Sequence, residues 1–116
     1  MKPYIICAAI ITIQENREYP CVENRNLRIG MSHASIINMN QISSRKVPIS
    51  DGAKGFLTSE LHFVYREEAA KIAYEAGQIS IKLSSLYSDD INLNSAYSKF
   101  IHDNPDKKDT LENLKL

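Results

Sequence analysis

Little in this 116-residue sequence is of the kind that announces chemistry. Its three histidines, His33, His62 and His102, are isolated, and no two of them share a helix face at metal-ligand spacing. With four glycines in all, there is no glycine-rich loop to cradle a phosphate. The two cysteines, Cys7 in an apolar run and Cys21 beside Pro20, form no metal or redox motif, so a reduced cytoplasmic protein is expected rather than a disulfide-stapled one. Charge of neither sign is in excess: 14 basic residues balance 14 acidic ones and are scattered, which argues against a nucleic-acid duplex as partner. No apolar stretch approaches the roughly 20 residues that span a bilayer. The Tyr4–Ile13 run is too short for that, lacks leucine and is followed by no credible cleavage context, so it reads as neither a membrane anchor nor a signal peptide. A catalytic base held by an orienting group, a metal cluster and a cofactor motif are all absent from the pattern. The expected catalytic residues, metal ligands and cofactors are accordingly none.

What is present is concentrated between Gly55 and Gln78. Ala69, Ile72, Ala73 and Ala76 recur at i, i+3, i+4 and i+7, which predicts a helix over Arg66–Ala76 with one buried stripe. Glu67, Lys71 and Glu75 follow at i, i+4 on the wet side. Three of the four stripe residues are alanine, which suits close approach to a flat sheet. Gly77 stands where a left-handed C-cap belongs. Upstream, Phe56–Thr58 and Leu61–Tyr65 read as a hairpin turning at Ser59 and Glu60, with Leu61, Phe63 and Tyr65 on one face. The strand-to-helix junction is locally unfavourable, since Tyr65 is a poor N-cap and Arg66 puts a cation at the positive end of the helix dipole. Such a residue serves either a structural ion pair, with Glu67 or another acid, or an anionic ligand.

The rest of the chain completes a single domain. Tyr4–Ile13 reads as a central strand buried on both faces, and Tyr19–Val22, interrupted by Pro20, as an edge strand. Between Arg28 and Gln41, with Ser32 as N-cap and His33 in the first turn, a short helix is expected. Ile42–Lys54 reads as a loop whose Arg45, Lys46 and Lys54 are candidate phosphate partners. Ile79, Ile81 and Leu83 alternate over too short a span to assign. The acidic run Ser88-Asp89-Asp90 either caps a final helix over Leu93–His102 or grips ribose hydroxyls. From Asp103 the tail is charged and contains Pro105, and it reads as a docking arm or a disordered end. The fold class expected is therefore α+β: an antiparallel sheet of Tyr4–Ile13, Phe56–Thr58 and Leu61–Tyr65, packed with two to three helices and covered on one face by Arg66–Ala76.

The segments Gly55-Phe56-Leu57-Thr58-Ser59, Phe63-Val64, Arg66-Glu67-Glu68-Ala69, Ile72-Ala73 and Ala76-Gly77-Gln78 carry a resemblance, extended by Ile6-Cys7-Ala8-Ala9-Ile10 and Leu86-Tyr87-Ser88-Asp89-Asp90-Ile91. Together they resemble the phage anti-Thoeris sponges, small phage proteins that bind cyclic ADP-ribose isomers made by bacterial TIR-domain enzymes. The similarity spans the larger part of the chain. It departs at Glu60-Leu61-His62, where a glycine-containing turn is usual, at Tyr65 in place of Asp or Asn, and at Ser32 in place of an Arg before His33. Arg28 lies close enough in sequence to substitute for that arginine. The resemblance implies a non-enzymatic ligand-binding protein of the host cytoplasm, a homo-oligomer whose partner is a cyclic nucleotide-type signal. It places the ligand contacts among Arg28, His33, Phe56, Thr58, Phe63, Arg66, Gln78, Ser88, Asp89 and Asp90.

The residue types suit such a ligand without turnover: aromatic rings for a base, guanidinium for pyrophosphate, carboxylates and amides for ribose hydroxyls. Two other classes remain open on sequence, a protein-interaction module that blocks a host factor and a small nucleotide-processing enzyme. Incubation with cyclic nucleotides separates the three, as intact ligand released on heating, no ligand, or altered ligand.

Overall fold

The computed structural model describes residues 2–12, 27–42 and 49–115. Within it the β-branched run near the start forms strand β1, Ile5–Thr12, and every side chain from Ile5 to Ile10 is fully buried. A strand with no wet face needs a cover on each side and a neighbour along each edge. The edges are met by β2, Leu27–Gly30, and β3, Ile49–Thr58, both antiparallel to β1. A short β4, Phe63–Tyr65, pairs with β3, giving a four-stranded sheet in the order β2-β1-β3-β4.

The pairing of β1 with β3 steps from Ile5 opposite Thr58 to Cys7 opposite Leu57, a bulge at Ile6. It resets the alternation, so Ile5, Ala8 and Ile10 face one core while Ile6, Cys7 and Ala9 face the other. The first core is closed by helix α1, His33–Ile42, through Ile36, and by α2, Arg66–Glu75, through Ala69, Ala70 and Ala73. The second is closed by α3, Leu93–Asp103, through Tyr97 and Phe100, and by the C-terminal turns through Leu111 and Leu114.

Several expectations are corrected by this arrangement. The helix from Arg66 covers one face as expected, the other face is covered as well, and the described residues hold four helices where two to three were expected. The last, α4, Lys108–Glu112, lies between two 3-10 turns, Pro105–Lys107 and Asn113–Lys115. The charged tail is thus ordered: Leu111 and Leu114 are its apolar anchors, and Pro105 starts a turn because its missing N–H costs nothing there. Arg28 lies in a strand, since Leu27 and Ile29 alternate inward opposite Ile11 and Ala9. Residues 49–54 belong to β3 and not to a loop, because β1 runs to Thr12 and Ile49 pairs with it. The expected strand at Tyr19–Val22, Cys21, Arg45 and Lys46 lie outside the described residues.

Local chemistry explains the ends of the elements. Ser32 Oγ accepts from Ser35 N at 3.1 Å and caps α1 as anticipated. Helix α2 ends in a Schellman motif, Gln78 N donating to Ala73 O and Gly77 N to Tyr74 O, with Gly77 at φ 77. In the β3–β4 turn Leu61 takes φ 64, the conformation a glycine accepts freely and which costs another residue about 1 kcal/mol. Its side chain packs on the second core, which offsets that cost. Asn92, not Ser88-Asp89-Asp90, caps α3, accepting from Ser95 N at 3.1 Å. No helix of the described residues is long and apolar enough to cross a membrane.

The buried face of α2 is Ala69, Ala70 and Ala73, with Ile72 and Ala76 at its margin, so the stripe is turned slightly from the sequence estimate. Ala73 has no exposure at all, and a larger side chain there must push helix and sheet apart. Ala73→Leu is expected to lower stability by about 1–3 kcal/mol in urea unfolding, whereas an unchanged midpoint would contradict the close helix–sheet contact.

Candidate functional site

The site is built where α1, β3, α2 and the 3-10 turn Ser88–Asp90 meet. Its centre is His33, the first residue of α1, which is 8% exposed and whose ring meets buried Phe56 edge-on at 5.1 Å. His33 Nε2 lies 2.7 Å from the carbonyl of Gly55, and Nδ1 lies 3.1 Å from Ser88 Oγ. Gly55 allows this approach of strands, because a Cβ on it would stand 2.3 Å from the Val64 carbonyl.

Burial lowers the His33 pKa below its ordinary 6.5; the Gly55 and Ala9 carbonyls pull back, while Arg66 and Lys54 push the same way as burial. His33 is therefore neutral at pH 7. A carbonyl can only accept, so Nε2 carries the proton and donates to Gly55, and Nδ1 accepts from the Ser88 hydroxyl.

Two cations act on the His33 ring through space, Arg66 and Lys54. Arg66 opens α2, and its guanidinium carbon stands 4.6 Å from the centre of the Tyr87 ring. Its Nε is shielded from solvent and has no hydrogen-bond partner among the described residues. The three ion pairs among the described residues join Lys99 to Asp103, Lys107 to Asp106 and Lys115 to Glu112. Neither Arg66 nor Lys54 takes part in them. The structural ion pair weighed for Arg66 is thus not among its contacts, and the Tyr87 ring is what braces it. Tyr87 is itself 54% exposed and presents an aromatic surface beside the guanidinium. Nothing in the sequence singles it out, because one tyrosine in a loop has no periodic partner to mark it.

Of the residues anticipated from sequence, the fold unites His33, Phe56, Arg66 and Ser88, and Lys54 joins them. Phe56 supports His33 from inside the core and offers no face to a ligand. Asp90 closes its own turn, its Oδ2 accepting from Tyr87 N at 2.8 Å, while Asp89 is exposed alongside. The others serve structure elsewhere. Thr58 is buried at the end of β3, and its Oγ1 accepts from the backbone of Glu60 and His62 in the turn. Phe63 lies on the opposite face of the sheet, packed against the second core and edge-on to Tyr65. Arg28 lies in β2, its Nη1 donating to the Leu27 carbonyl at 3.4 Å. Gln78 is paired with Ile5 beyond the reach of β2: its Oε1 accepts from Ile5 N and its Nε2 donates to Ile5 O, both at 2.8 Å. The side chain does there what a neighbouring strand would do.

A separate cavity of about 450 Å³ is lined by Tyr4, Gln78, Asn92, Ser95 and Lys99 among others. Lys99 there already has the Tyr4 ring at 4.6 Å and Asp103 at 3.9 Å, and Asn92 is spent on the α3 cap. It offers an anion less than the Arg66 site does. Among the described residues no group of three or more His, Cys, Asp and Glu is placed to hold a metal ion. Cys7 is fully buried, which pushes its thiol pKa far up and keeps it from acting as a nucleophile.

Two measurements check these assignments. Gln78→Ala strips both partners from the buried backbone of Ile5 and is expected to cost about 1–3 kcal/mol in urea unfolding, while no loss would mean the amide is dispensable to the sheet. For His33 the folded pKa is depressed, so its contribution to stability is fully present above 6.5 and declines as the pH falls through and below that value. The stability difference between wild type and His33→Gln should therefore shrink from pH 7.5 to pH 5; a difference that stayed constant or grew would contradict a neutral His33.

The sequence matches the family described as "Phage T4 y16D protein" over residues 4–92, more than half of the chain. That span holds the whole sheet, α1, α2 and every residue of the His33–Arg66 site, and it ends just before α3. No curated protein matches the sequence. No solved structure matches it either. The chain belongs to the phage T4 y16D protein family.

Proposed function

We propose that this phage protein is a non-enzymatic sponge that binds and sequesters a cyclic nucleotide-derived immune signal in the host cytoplasm. The ligand class is a cyclic ADP-ribose isomer or a related cyclic oligonucleotide, and the outcome is inhibition of an anti-phage defence such as Thoeris. One observation carries the reading: Arg66 and Lys54, neither ion-paired with a described carboxylate, converge on neutral His33 beside the exposed ring of Tyr87. Two cations without a carboxylate partner among the described residues, next to an aromatic surface, match a pyrophosphate joined to a base. The guanidinium of Arg66 is a fork of N–H donors, and a phosphate oxygen is the acceptor it suits. The resemblance to the anti-Thoeris sponges supports the same ligand. A site this open on so small a domain encloses its ligand best against a second copy, so a homo-oligomer is part of the proposal.

A second reading, a small nucleotide-processing enzyme, is favoured by the hydrogen bond from the Ser88 hydroxyl to His33 Nδ1, since a serine and its base are arranged that way. The fate of the ligand separates the two: a sponge releases it unaltered on heating, an enzyme releases a product of different mass.

Arg66→Ala tests the first reading. The substitution should leave the melting temperature nearly unchanged and weaken calorimetric binding of cyclic ADP-ribose by roughly 10- to 100-fold, the loss of one charge-assisted contact. Arg66→Lys should restore it only in part, because a point charge does not replace the guanidinium fork. A stable Arg66→Ala protein with wild-type affinity would sink the proposed site.

A further inference from the structure

The hydrogen-bond polarity of the site adds a specificity that the charges alone do not give. Gly55 O forces the proton onto His33 Nε2, the bare Nδ1 can only accept, and Ser88 must therefore spend its single proton on His33. Both lone pairs of Ser88 Oγ remain, and no described group donates to them. Ser88 is half-buried in the turn that follows Tyr87, which sets its hydroxyl next in the chain to the exposed ring on which a ligand would rest. An oxygen in this condition attracts a hydroxyl or N–H and repels an anionic oxygen. Arg66, stacked on the ring of Tyr87 next to Ser88 in the chain, has the reverse character: it donates and cannot accept. The two ends of the site are thus polarised in opposite senses, one for a phosphate and one for a hydroxyl.

We propose that Ser88 is a specificity-determining acceptor for a ribose hydroxyl of the nucleotide ligand, with His33 as the positioning residue that fixes its polarity, so that the site selects ribose over deoxyribose. The inference rests on the sponge reading and refines it. It narrows the ribose recognition that the sequence suggested for the run Ser88-Asp89-Asp90 to Ser88, since Asp90 is committed to Tyr87 N. His33 acts only through Ser88, because its own ring nitrogens are both engaged and its ring is almost wholly buried.

The test is calorimetric titration with cyclic ADP-ribose and with analogues that each lack one ribose hydroxyl. For the wild type, removal of one particular hydroxyl should weaken binding by about tenfold, the loss of one hydrogen bond to an otherwise unpaired acceptor. Ser88→Ala should bind the parent about tenfold more weakly and lose nothing further with that same analogue, as a double-mutant cycle requires of directly coupled groups. His33→Leu, which frees the Ser88 proton, should lower the ribose-to-deoxyribose affinity ratio, because Ser88 is then no longer held with its lone pairs toward the ligand. His33→Asn, whose side-chain oxygen can stand in for Nδ1, should keep it, an outcome that a merely structural histidine does not produce. If the wild type binds cyclic ADP-ribose and every analogue equally, or if the ratio survives Ser88→Ala, the proposal is overturned while the sponge reading stands. Absence of binding to cyclic ADP-ribose in the folded wild type would instead overturn the reading beneath it.

Discussion

Everything in this fold follows from a strand that has no wet side. From Ile5 to Ile10 β1 is fully buried, and a chain of 116 residues must commit both of its helical layers to covering that one segment. The bulge at Ile6 divides the apolar side chains between two cores. On one side the cover comes close, through the alanines of α2; on the other it is thicker, through Tyr97, Phe100 and the leucines of the C-terminal turns. The close side is where the candidate site forms. A thin alanine layer brings the N-terminus of α2 near β3, and with it Arg66 near His33.

That proximity explains why the unfavourable junction at Tyr65–Arg66 persists. No side chain caps α2, and a cation sits at the positive end of its dipole. Stacking on Tyr87 recovers part of the cost, and the carbonyl of Arg66 accepts from Leu86 N at 3.0 Å, which ties the same loop to the start of the helix. The loop in turn delivers Ser88 to His33. Backbone pairing, ring stacking and a side-chain hydrogen bond therefore all hold residues 86–88 against the ends of α1 and α2. The site is assembled by long-range contacts, with Ser88 and His33 separated by 55 positions in the chain.

Where local pattern decides structure, the sequence was readable. The α2 helix, its Gly77 cap, the β3–β4 hairpin, the doubly buried first strand and the Ser32 cap were all visible in periodicity and turn chemistry. The antiparallel α+β class followed from them. Long-range events were not visible. Residues 49–54 carry breaker signals yet become strand because β1 offers them a partner. The charged tail looks unanchored until Leu111 and Leu114 meet a second core face. In the site, Arg66 stood out because it breaks a local rule, and His33 and Ser88 were named without any sign that they touch. Gln78 and Thr58 are polar residues of the kind that could meet a ligand, but what they satisfy is the backbone of β1 and of a turn. Residue type alone does not tell a ligand contact from a hydrogen bond that the fold itself requires.

We propose that the cations beside His33, which pair with no described carboxylate, hold a nucleotide that is kept and not consumed. Native mass spectrometry of the protein purified from cells that produce the cyclic ADP-ribose signal tests it directly. The account predicts a bound mass equal to the intact signal, in fixed ratio to the chain and released unaltered on heating. Protein that emerges empty from those cells, or that carries the mass of a cleaved product, would contradict it.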